Sequence, residues 1–382
     1  MSRTTKARYV MIGGFLGAGK TTAVAALARH LDARGDRVGL ITNDQSRGLV
    51  DSSILRGKGF AVEEIAGGCF CCRFQTLSEA VEKLDASSAP DVFVAEPVGS
   101  CTDLVATVSY PLRRIYGDSY TVAPLSVLVD PRRALRVLGL AEGKAFSPKV
   151  RYVYEKQLEE ADLIVINKID ELEEEDARRL EDGLAERFPQ AEILRASAKE
   201  GTGLEAWFER ILDHEVVLRP SMPLDYGTYA EGEALLGWLN ATAAVRSGDG
   251  PFDANRLLVE LTEDVRGRLA AAGAEVAHLK MTLDSGSGDG ALSVVSVVSN
   301  DGPVDLRESL LDAVDGGSLV INLRAEGHPD VLKEALDGVL AERRAGGLGV
   351  ELEHLEHFQP APPVPVHRIT DPLAGAAEGS QG

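Results

Sequence analysis

Residues 8–22 read RYVMIGGFLGAGKTT, and this stretch decides the fold of the chain. The apolar run that ends at Gly14 predicts a buried strand, and the alanine- and leucine-rich run of residues 21–34 predicts a helix. Between them, residues 14–21 fit the pattern GxxxxGKT, in which a glycine-rich loop follows a strand and opens a helix. This context predicts a nucleotide-binding P-loop domain.

The glycines of this loop allow successive backbone N–H groups to point inward, and the positive end of the following helix faces the same space. We therefore expect a cradle for phosphate oxygens, in which an exposed Lys20 reaches the terminal phosphates and Thr21 binds Mg²⁺ through its hydroxyl. A glycine turn without a ligand would leave Lys20 and Thr21 unexplained. The loop residues predicted to bind nucleotide are Gly14, Gly17, Ala18, Gly19, Lys20, Thr21 and Thr22.

Further short apolar runs follow, each separated from the next by at least one predicted helix, at residues 38–44, 91–96, 126–130, 162–168 and 191–197. Near-continuous apolar runs are typical of strands that are buried on both faces of a sheet. Strands that alternate with helices predict an α/β fold with a doubly wound, mostly parallel sheet of the P-loop NTPase type. The acidic helix predicted at residues 171–188 is expected only to present a solvated face.

Two strand-end motifs indicate which base is bound. Asn167, Lys168 and Asp170 belong to an NKID sequence at the end of an apolar run. The Asp170 carboxylate can accept the two hydrogen bonds that guanine donates from N1 and N2, and adenine offers no such pair of donors. These motifs favour a GTPase over a P-loop kinase, which would not need NKID. The second loop expected to pack on the base, at the end of the next strand, consists of Ser197, Ala198 and Lys199.

The strand predicted at residues 91–96 ends in AEPVG, where GTPases usually carry the pattern DxxG. Glu96 takes the place of the aspartate, and its longer side chain can reach the Mg²⁺ shell through water. Gly99 is expected to approach the γ-phosphate of the nucleotide. Lys20 and Glu96 are therefore candidate catalytic residues, and Thr21 and Glu96 are the candidate Mg²⁺ residues.

All four cysteines lie between Cys69 and Cys101, and three of them, Cys69 with Cys71 and Cys72, form a CxCC sequence. Adjacent side chains of a strand face opposite ways, so the three thiols converge only in a tight loop, which the two preceding glycines permit. Three thiolates favour Zn²⁺, Co²⁺ or Cu⁺ over Mg²⁺. The clustering favours metal binding over a disulfide framework, while buried apolar cysteines and a redox switch remain alternatives.

The P-loop, CxCC, ExxG, NKID and SAK motifs, in this order over residues 8–213, resemble those of the CobW-type metallochaperone GTPases, relatives of the urease and hydrogenase nickel-insertion GTPases. The resemblance implies a slow, Mg²⁺-dependent GTPase that binds GTP together with a transition metal, Zn or Co, through Cys69, Cys71 and Cys72. It implies delivery of the metal to a client metalloenzyme or a cobalamin-related pathway. The alternative is a GTP-dependent regulatory or assembly switch whose zinc is structural.

Two features of the sequence depart from the family pattern. The segment after the second strand usually reads Asn-Glu-Phe-Gly with further acids, whereas residues 43–48 read NDQSRG and the next acid is Asp51. Asp44 is the candidate catalytic acid of this segment. The sequence carries no histidine-rich loop, and the spacing of His354 and His357 places them on opposite faces of a predicted strand, which disfavours a metal role.

Cys101 lies outside the family motif but follows Gly99 by two residues, on the loop that is expected to sense the γ-phosphate. If the CxCC loop packs nearby, Cys101 can complete a tetrahedral four-sulfur site in one nucleotide state only. The simpler alternative is an ordinary cysteine at a helix N-terminus.

A proline-bounded segment at residues 219–223 ends the alternating pattern. Beyond it, strands are predicted at residues 235–245, 276–284, 291–299, 318–324 and 350–358, and helices at 253–272 and 329–344. This order predicts a smaller α+β domain with its helices on one sheet face, and we expect this domain to present the client surface. The predicted domains are residues 1–218 and 219–366, followed by a disordered tail at 367–382.

The net charge limits the partners that we expect. The 382 residues carry a formal net charge of -20, which opposes binding to nucleic acid and to anionic lipid. The sequence shows no signal-peptide pattern and no apolar run long enough to span a membrane. We therefore expect a cytoplasmic protein whose partners are GTP, a metal ion and an unidentified client metalloprotein. The oligomeric state stays open, with a homodimer as one option.

Overall fold

The computed structural model describes residues 6–44, 60–248, 250–288 and 291–373. The chain divides into two compact units. The first comprises residues 1–147, 151–229 and 363–382, and the second comprises residues 148–150 and 230–362. The domain boundaries predicted at residues 218 and 366 stay predictions, although the C-terminal residues of the chain group with the first unit and not with the second.

The first unit is built on a parallel sheet. Its strands are β1 (Ala7–Gly14), β2 (Val38–Asp44), β3 (Ala61–Ala66), β4 (Val92–Glu96), β5 (Tyr120–Val122), β6 (Ser126–Val129), β7 (Leu163–Ile166) and β8 (Glu192–Arg195). They pair in the order β3-β2-β4-β1-β6-β7-β8, β5 pairs with β1, and every pairing is parallel. The predicted α/β fold of the P-loop NTPase type is confirmed.

Helices cover this sheet because each has a face of small or branched apolar residues. In the helix that follows the P-loop, Ala23, Leu27 and Leu31 are fully buried against strand residues such as Val10. A π-helical segment, Val105–Ser109, directly precedes the α-helix Tyr110–Tyr116. Among the residues that the structure describes, the α-helices before the second sheet are Lys20–Ala33, Phe74–Ser88, Tyr110–Tyr116, Pro131–Val137, Pro148–Glu160, Glu174–Arg187, Leu204–Asp213 and Tyr226–Ala234.

The carboxyl ends of the parallel strands meet at one edge of the sheet, which is where ligands bind in open α/β folds. The P-loop follows β1, Glu96 ends β4, Asp130 follows β6 and Asn167 follows β7. The crossover connections therefore bring together residues that are far apart in the sequence.

The second unit is an antiparallel sheet with two helices. Its strands are β9 (Leu236–Ser247), β10 (Glu275–Asp284), β11 (Leu292–Val297), β12 (Asp305–Glu308), β13 (Gly316–Glu326) and β14 (Leu348–Phe358), in the order β12-β11-β10-β13-β9-β14. The helices Ala254–Ala271 and Pro329–Ala345 contact each other and the sheet, and leucines and valines of both helices share one core with it. The predicted smaller α+β fold is confirmed.

Some elements were not predicted from the sequence, namely β3, β5, β12 and the helix Tyr226–Ala234. Strand β3 reads AVEEIA, and its two glutamates remain partly exposed because β3 lies at the edge of the sheet. The acidic helix is observed at Glu174–Arg187, where Ala177, Leu180 and Leu184 are its buried residues, as expected for a helix with a solvated face.

Within the ranges that the structure describes, no helix is both long enough and apolar enough to cross a bilayer.

Candidate functional site

The P-loop adopts the backbone conformation that a phosphate cradle requires. Gly14, Gly17 and Gly19 have φ angles of 129°, 77° and 91°, a region that L-residues with side chains rarely adopt. A Cβ atom at Gly19 would lie 2.4 Å from Nδ2 of Asn167, so a side chain there has no space. Both restrictions keep the loop backbone open for a ligand's oxygens.

Lys20 is more enclosed than expected. Its side chain is only 8% exposed, which corrects the prediction of an exposed lysine. Its Nζ donates to the carbonyl oxygens of Gly14 at 3.0 Å and Phe15 at 3.3 Å. The ammonium group of Lys20 therefore lies over the P-loop, within reach of the space where the phosphates are predicted to bind.

Thr21 and Glu96 lie side by side. The Thr21 hydroxyl donates to Oε1 of Glu96 at 2.9 Å, although the two residues are 75 positions apart in the sequence. A hydroxyl and a carboxylate are both hard oxygen ligands of the kind that Mg²⁺ prefers. The residues present therefore fit a magnesium ion at this point, as the sequence predicts.

Gly99 packs directly on the P-loop. A Cβ atom at Gly99 would lie 2.9 Å from the backbone nitrogen of Leu16, so only glycine allows this approach. On the other side of the loop, Arg133 donates to the Leu16 carbonyl and its guanidinium lies 5.3 Å from the centre of the Phe15 ring. The role of Arg133 could not be predicted from the sequence, because no motif connects this residue to the P-loop.

The candidate base-binding loops are joined by Asn167. Its Nδ2 donates to the Ala18 carbonyl at 2.8 Å, and its Oδ1 accepts from the Ala198 N–H at 2.9 Å. Asn167 thereby fixes the P-loop and the SAK loop to one another. Ser197 is fully buried and its Oγ accepts from the Glu200 N–H at 3.0 Å, which shapes the turn that carries Lys199.

The side chain of the neighbouring Lys168 is held by Asp130, a residue whose role was not predicted from the sequence. Lys168 has a φ of 55°, and its Nζ donates to Oδ2 of Asp130 at 2.8 Å. Burial alone would raise the pKa of Asp130, but the charges of Lys168 and Arg133 outweigh it and lower that pKa. Asp130 follows β6 directly, so its strand-end position was the available signal. The side chain of Asp170 is exposed, and is accessible to a base.

The cysteine loop is a tight turn, as the two glycines predict. Gly67 and Gly68 have φ angles of 78° and 151°, and the carbonyl of Cys69 accepts from the N–H groups of Cys72 at 3.1 Å and Arg73 at 2.9 Å. This helical turn gathers side chains that an extended strand would separate.

Asn43 anchors the same turn to the sheet. Its Nδ2 donates to the carbonyls of Ile65 at 2.9 Å and Gly68 at 2.7 Å. Asn43 belongs to the same segment as Asp44. The side chain of Asp44 lies outside the described residues, as do residues 45–59 with Asp51. The candidate catalytic role of Asp44 therefore stays a prediction.

The three CxCC thiols form a compact cluster. The sulfurs of Cys69 and Cys71 are 2.8 Å apart, those of Cys69 and Cys72 are 3.1 Å apart, and those of Cys71 and Cys72 are 3.6 Å apart. Among the described residues, this is the group of three or more potential ligands whose atoms all lie within 4.8 Å of one another. Zn–S bonds of about 2.3 Å in a tetrahedron separate sulfurs by roughly 3.8 Å, so a small expansion accommodates one ion.

The thiols do not titrate alike. Side-chain hydrogen bonds from Cys101, then from Cys71 and Cys72, lower the pKa of the Cys69 thiol. The hydrogen bonds to Cys69 and Cys72 raise the pKa of Cys71, and that to Cys69 raises the pKa of Cys72 to about 11. Cys69 is thus the thiol that loses its proton first, and thiolates are the species that bind metal.

A C-terminal segment of the first unit lies against the cluster. In this strap, residues 363–370, the N–H of Val364 donates to the Cys72 sulfur at 3.2 Å and that of Val366 to the Cys71 carbonyl at 3.0 Å. Farther along, the Ile369 N–H donates to the Ala106 carbonyl at 2.8 Å. Residues 367–373 of the predicted disordered tail therefore have defined contacts, and residues 374–382 lie outside the described part.

The predicted strand histidines belong to the second unit and are not members of the thiol group. His357 hydrogen-bonds through Nε2 with Oδ1 of Asp330 at 3.0 Å, and His354 is exposed. Both lie on β14 of the second unit, with a register irregularity between Leu352 and His354. The structure gives them no place in the described metal cluster.

Comparison with known proteins identifies the nucleotide-binding domain. Residues 8–195 match the model of the CobW/HypB/UreG nucleotide-binding domain family. The chain is 29% identical over 201 residues to a zinc chaperone CobW of a Sinorhizobium species, covering 46% of this chain and 55% of that protein. It is also 29% identical over 179 residues to the zinc chaperone YeiR of Escherichia coli K12, covering 46% and 50%.

The chain spans about half the length of these curated relatives. Among solved structures, the Zn(II)-bound YjiA GTPase from E. coli is similar at 16% sequence identity and a TM-score of 0.36, covering 88% of this chain and 99% of that one.

Proposed function

Because residues 8–195 match the model of the CobW/HypB/UreG nucleotide-binding domain family, we propose that this protein hydrolyses GTP and carries a transition metal to a client metalloprotein. The resemblance to CobW-type proteins read from the sequence is thereby confirmed at the level of the family. The proposed cargo is zinc, with cobalt as the second choice, and the client is a metalloenzyme or a cobalamin-related pathway. A cytoplasmic location is part of this proposal, because clustered cysteines without a disulfide framework and the use of GTP fit a reducing compartment.

One observation carries the proposal: three thiols converge in the unit that holds the P-loop. A fold that only bound nucleotide would not need them, and thiolates select zinc-like metals over Mg²⁺. The proposed metal ligands are therefore Cys69, Cys71 and Cys72.

The nucleotide half of the mechanism follows from the contacts around the P-loop. Lys20 is proposed to exchange its two carbonyl partners for the β- and γ-phosphates, where its charge stabilises the transition state. Thr21 and Glu96 would hold Mg²⁺, which when bound neutralises charge on the phosphates. Gly99 lies against the P-loop backbone and would donate its N–H to the γ-phosphate.

The base half relies on the NKID and SAK loops. Asp170 is proposed to accept both guanine hydrogen bonds, while Asn167 keeps the two loops in register through Ala18 and Ala198. Lys168, fixed by Asp130, and the turn of Ser197 and Lys199 would pack on the two faces of the base.

A second candidate function is a GTP-dependent switch with a structural zinc. The burial of Cys69 and Cys71, which are 6% and 2% exposed, favours it, because structural zinc sites are closed to solvent. In that case the metal would stay bound throughout the GTP cycle.

The experiment is a paired measurement on the full-length protein loaded with one equivalent of zinc. Phosphate release from GTP and from ATP gives the nucleotide specificity, and transfer of zinc to a chromogenic chelator during turnover gives the metal release. Metal transfer that accelerates with GTP and not with GDP supports the chaperone. GTP hydrolysis without any metal transfer supports the switch, and the absence of GTP-specific hydrolysis contradicts both.

A further inference from the structure

Cys101 contacts the thiol cluster from a separate part of the chain. Its side chain is 2% exposed, and the side chains of Cys101 and Cys69 are hydrogen-bonded. Cys101 also acts electrostatically on Cys71. The thiol of Cys101 therefore lies beside the thiols of Cys69 and Cys71. It does not belong to the group of three sulfurs that all lie within 4.8 Å of one another.

Cys101 belongs to the loop that connects the sheet to the π-helical segment, residues 97–103, which we call the Glu96 loop. Its N–H donates to the Val98 carbonyl at 3.0 Å. The Gln157 amide, 2% exposed, donates to the carbonyls of Gly99 at 2.9 Å and Cys101 at 2.8 Å. One buried side chain therefore links the residue that packs on the P-loop to the residue that contacts the thiols.

We propose that Cys101 is a fourth sulfur ligand of the metal, so that the Glu96 loop contributes one ligand and the CxCC turn contributes three. This inference rests on the proposed function and adds a specific residue to it. Metal binding would displace the thiol protons to solvent and leave a tetrahedron of four thiolates, which suits zinc.

A fourth ligand that binds or dissociates gives the site two states that differ in metal affinity. With Cys101 bound, the coordination sphere is closed and the metal is retained, whereas with three thiolates one position is open to an incoming ligand. Gly99 packs so closely against Leu16 that a Cβ atom at residue 99 would clash with it. A phosphate that displaces the P-loop or Gly99 therefore moves Cys101 through Gln157, toward or away from the metal.

The test uses Co²⁺ as a spectroscopic probe for zinc in the full-length protein, loaded with GDP or with a non-hydrolysable GTP analogue. The sulfur-to-cobalt charge-transfer absorbance reports the number of Co–S bonds. In at least one nucleotide state, Cys101→Ala is expected to lose about one quarter of this absorbance while still binding one Co²⁺. The matched control is Ser100→Ala, which changes the adjacent buried residue and is expected to keep the full absorbance.

Equal absorbance of wild type and Cys101→Ala in both nucleotide states would overturn the fourth ligand and leave the proposed function intact. Retention of Co²⁺ by a variant in which Cys69, Cys71 and Cys72 are all replaced by alanine would instead contradict the CxCC site and both proposals with it. If Cys101→Ala fails to fold, X-ray absorption of the zinc-loaded wild type counts the sulfurs directly. Four sulfurs in either nucleotide state support the proposal, and three in both states refute it.

Discussion

Arg368 and Asp103 join the end of the chain to the Glu96 loop. Nε of Arg368 donates to Oδ2 of Asp103 at 2.6 Å, and Asp103 is only 1% exposed. The same Oδ2 accepts from the Tyr226 hydroxyl at 2.6 Å. Because Asp103 follows Cys101 by two residues, this ion pair holds the strap against the loop that carries the fourth thiol.

Replacing Arg368 by glutamine should loosen the strap and lower the free energy of unfolding. The Asp103 carboxylate would lose its cation but keep Tyr226, and Arg368 retains 30% exposure of its side chain. We therefore expect a loss of about 1 to 3 kcal/mol, less than for a fully buried pair. Urea unfolding measures this loss, and the alkylation rate of Cys72 should rise because Val364 no longer covers its sulfur.

The control for this variant is Arg178→Gln, which removes an exposed ion pair with Glu174. Such pairs contribute roughly 0 to 1 kcal/mol, so neither stability nor alkylation should change appreciably. If the two variants behave alike, the strap does not depend on Asp103.

Lys20→Ala should abolish tight GTP binding. The ammonium group supplies charge-assisted hydrogen bonds to phosphate, and their loss should cost on the order of 3 kcal/mol or more, about 100-fold in Kd. Calorimetric titration with GTP measures the affinity. Because Lys20 is buried and bonds two carbonyls, a thermal unfolding curve is needed beside it, and unchanged GTP affinity in a folded variant would refute the phosphate cradle.

Asp170→Asn should weaken GTP and improve xanthosine triphosphate, since an amide can donate to the oxygen that replaces the guanine amino group. Losing two charge-assisted hydrogen bonds should cost about 2 to 4 kcal/mol of GTP binding. Competition between GTP, XTP and ATP for a fluorescent nucleotide measures the preference. Equal competition by ATP and GTP in the wild type would contradict the guanine site.

Cys71→Ala should remove most of the stoichiometric metal and leave GTP affinity within a few-fold of wild type, because the two ligand sets are separate. In the wild type, zinc affinity should differ between the GDP and GTP-analogue states by roughly 5- to 150-fold, the usual range for coupled sites. Competition with a chelator in each state measures this ratio. Equal affinities would favour the structural zinc.

Glu160 should make stability fall as pH rises. Burial raises its pKa from 4.5 to about 8, with Asp103 nearby, while its carboxyl group accepts from the N–H of Val105. A raised pKa means that the folded state holds a proton that the unfolded chain has released, so this stabilisation is complete below pH 4.5 and is lost as the pH approaches 8. Urea unfolding from pH 5 to 8.5 should show this decline in wild type but not in Glu160→Gln.

Glu159, the residue that precedes Glu160, provides the control for the pH series. Glu159→Gln removes a carboxyl from the same helix end, where it forms a partly exposed ion pair with Lys156. Its pH profile should follow that of the wild type. Parallel profiles for all three proteins would mean that Glu160 is ionised in the folded state.

The sequence alone was sufficient to predict those parts of the site whose residues are adjacent in the chain. The P-loop follows a strand directly, and the CxCC turn contains its own glycines, so both could be read without knowledge of the fold. Asp130 and Arg133 could not be assigned, because Asp130 meets Lys168 only after β6 pairs with β7, and Arg133 meets Leu16 only after β6 pairs with β1. Strand β3 escaped prediction because its exposed glutamates interrupt the apolar pattern.

The strap was unpredictable for a related reason. Residues 363–370 carry prolines and no periodic pattern, which is typical of a linker or tail. Their contacts with Cys71 and Cys72 are made by backbone N–H groups, and these leave no signature in the choice of side chains.

The contact between Val364 and Cys72 spans 292 positions of the chain, so it also sets an order of events during synthesis. The CxCC turn leaves the ribosome early, whereas the strap can arrive only after the second unit has been made. Throughout that interval the sulfur of Cys72 lacks its backbone donor and is exposed to metal ions and oxidants alike. A metal ion or oxidant that reaches Cys72 in that interval meets a sulfur that the strap does not yet contact.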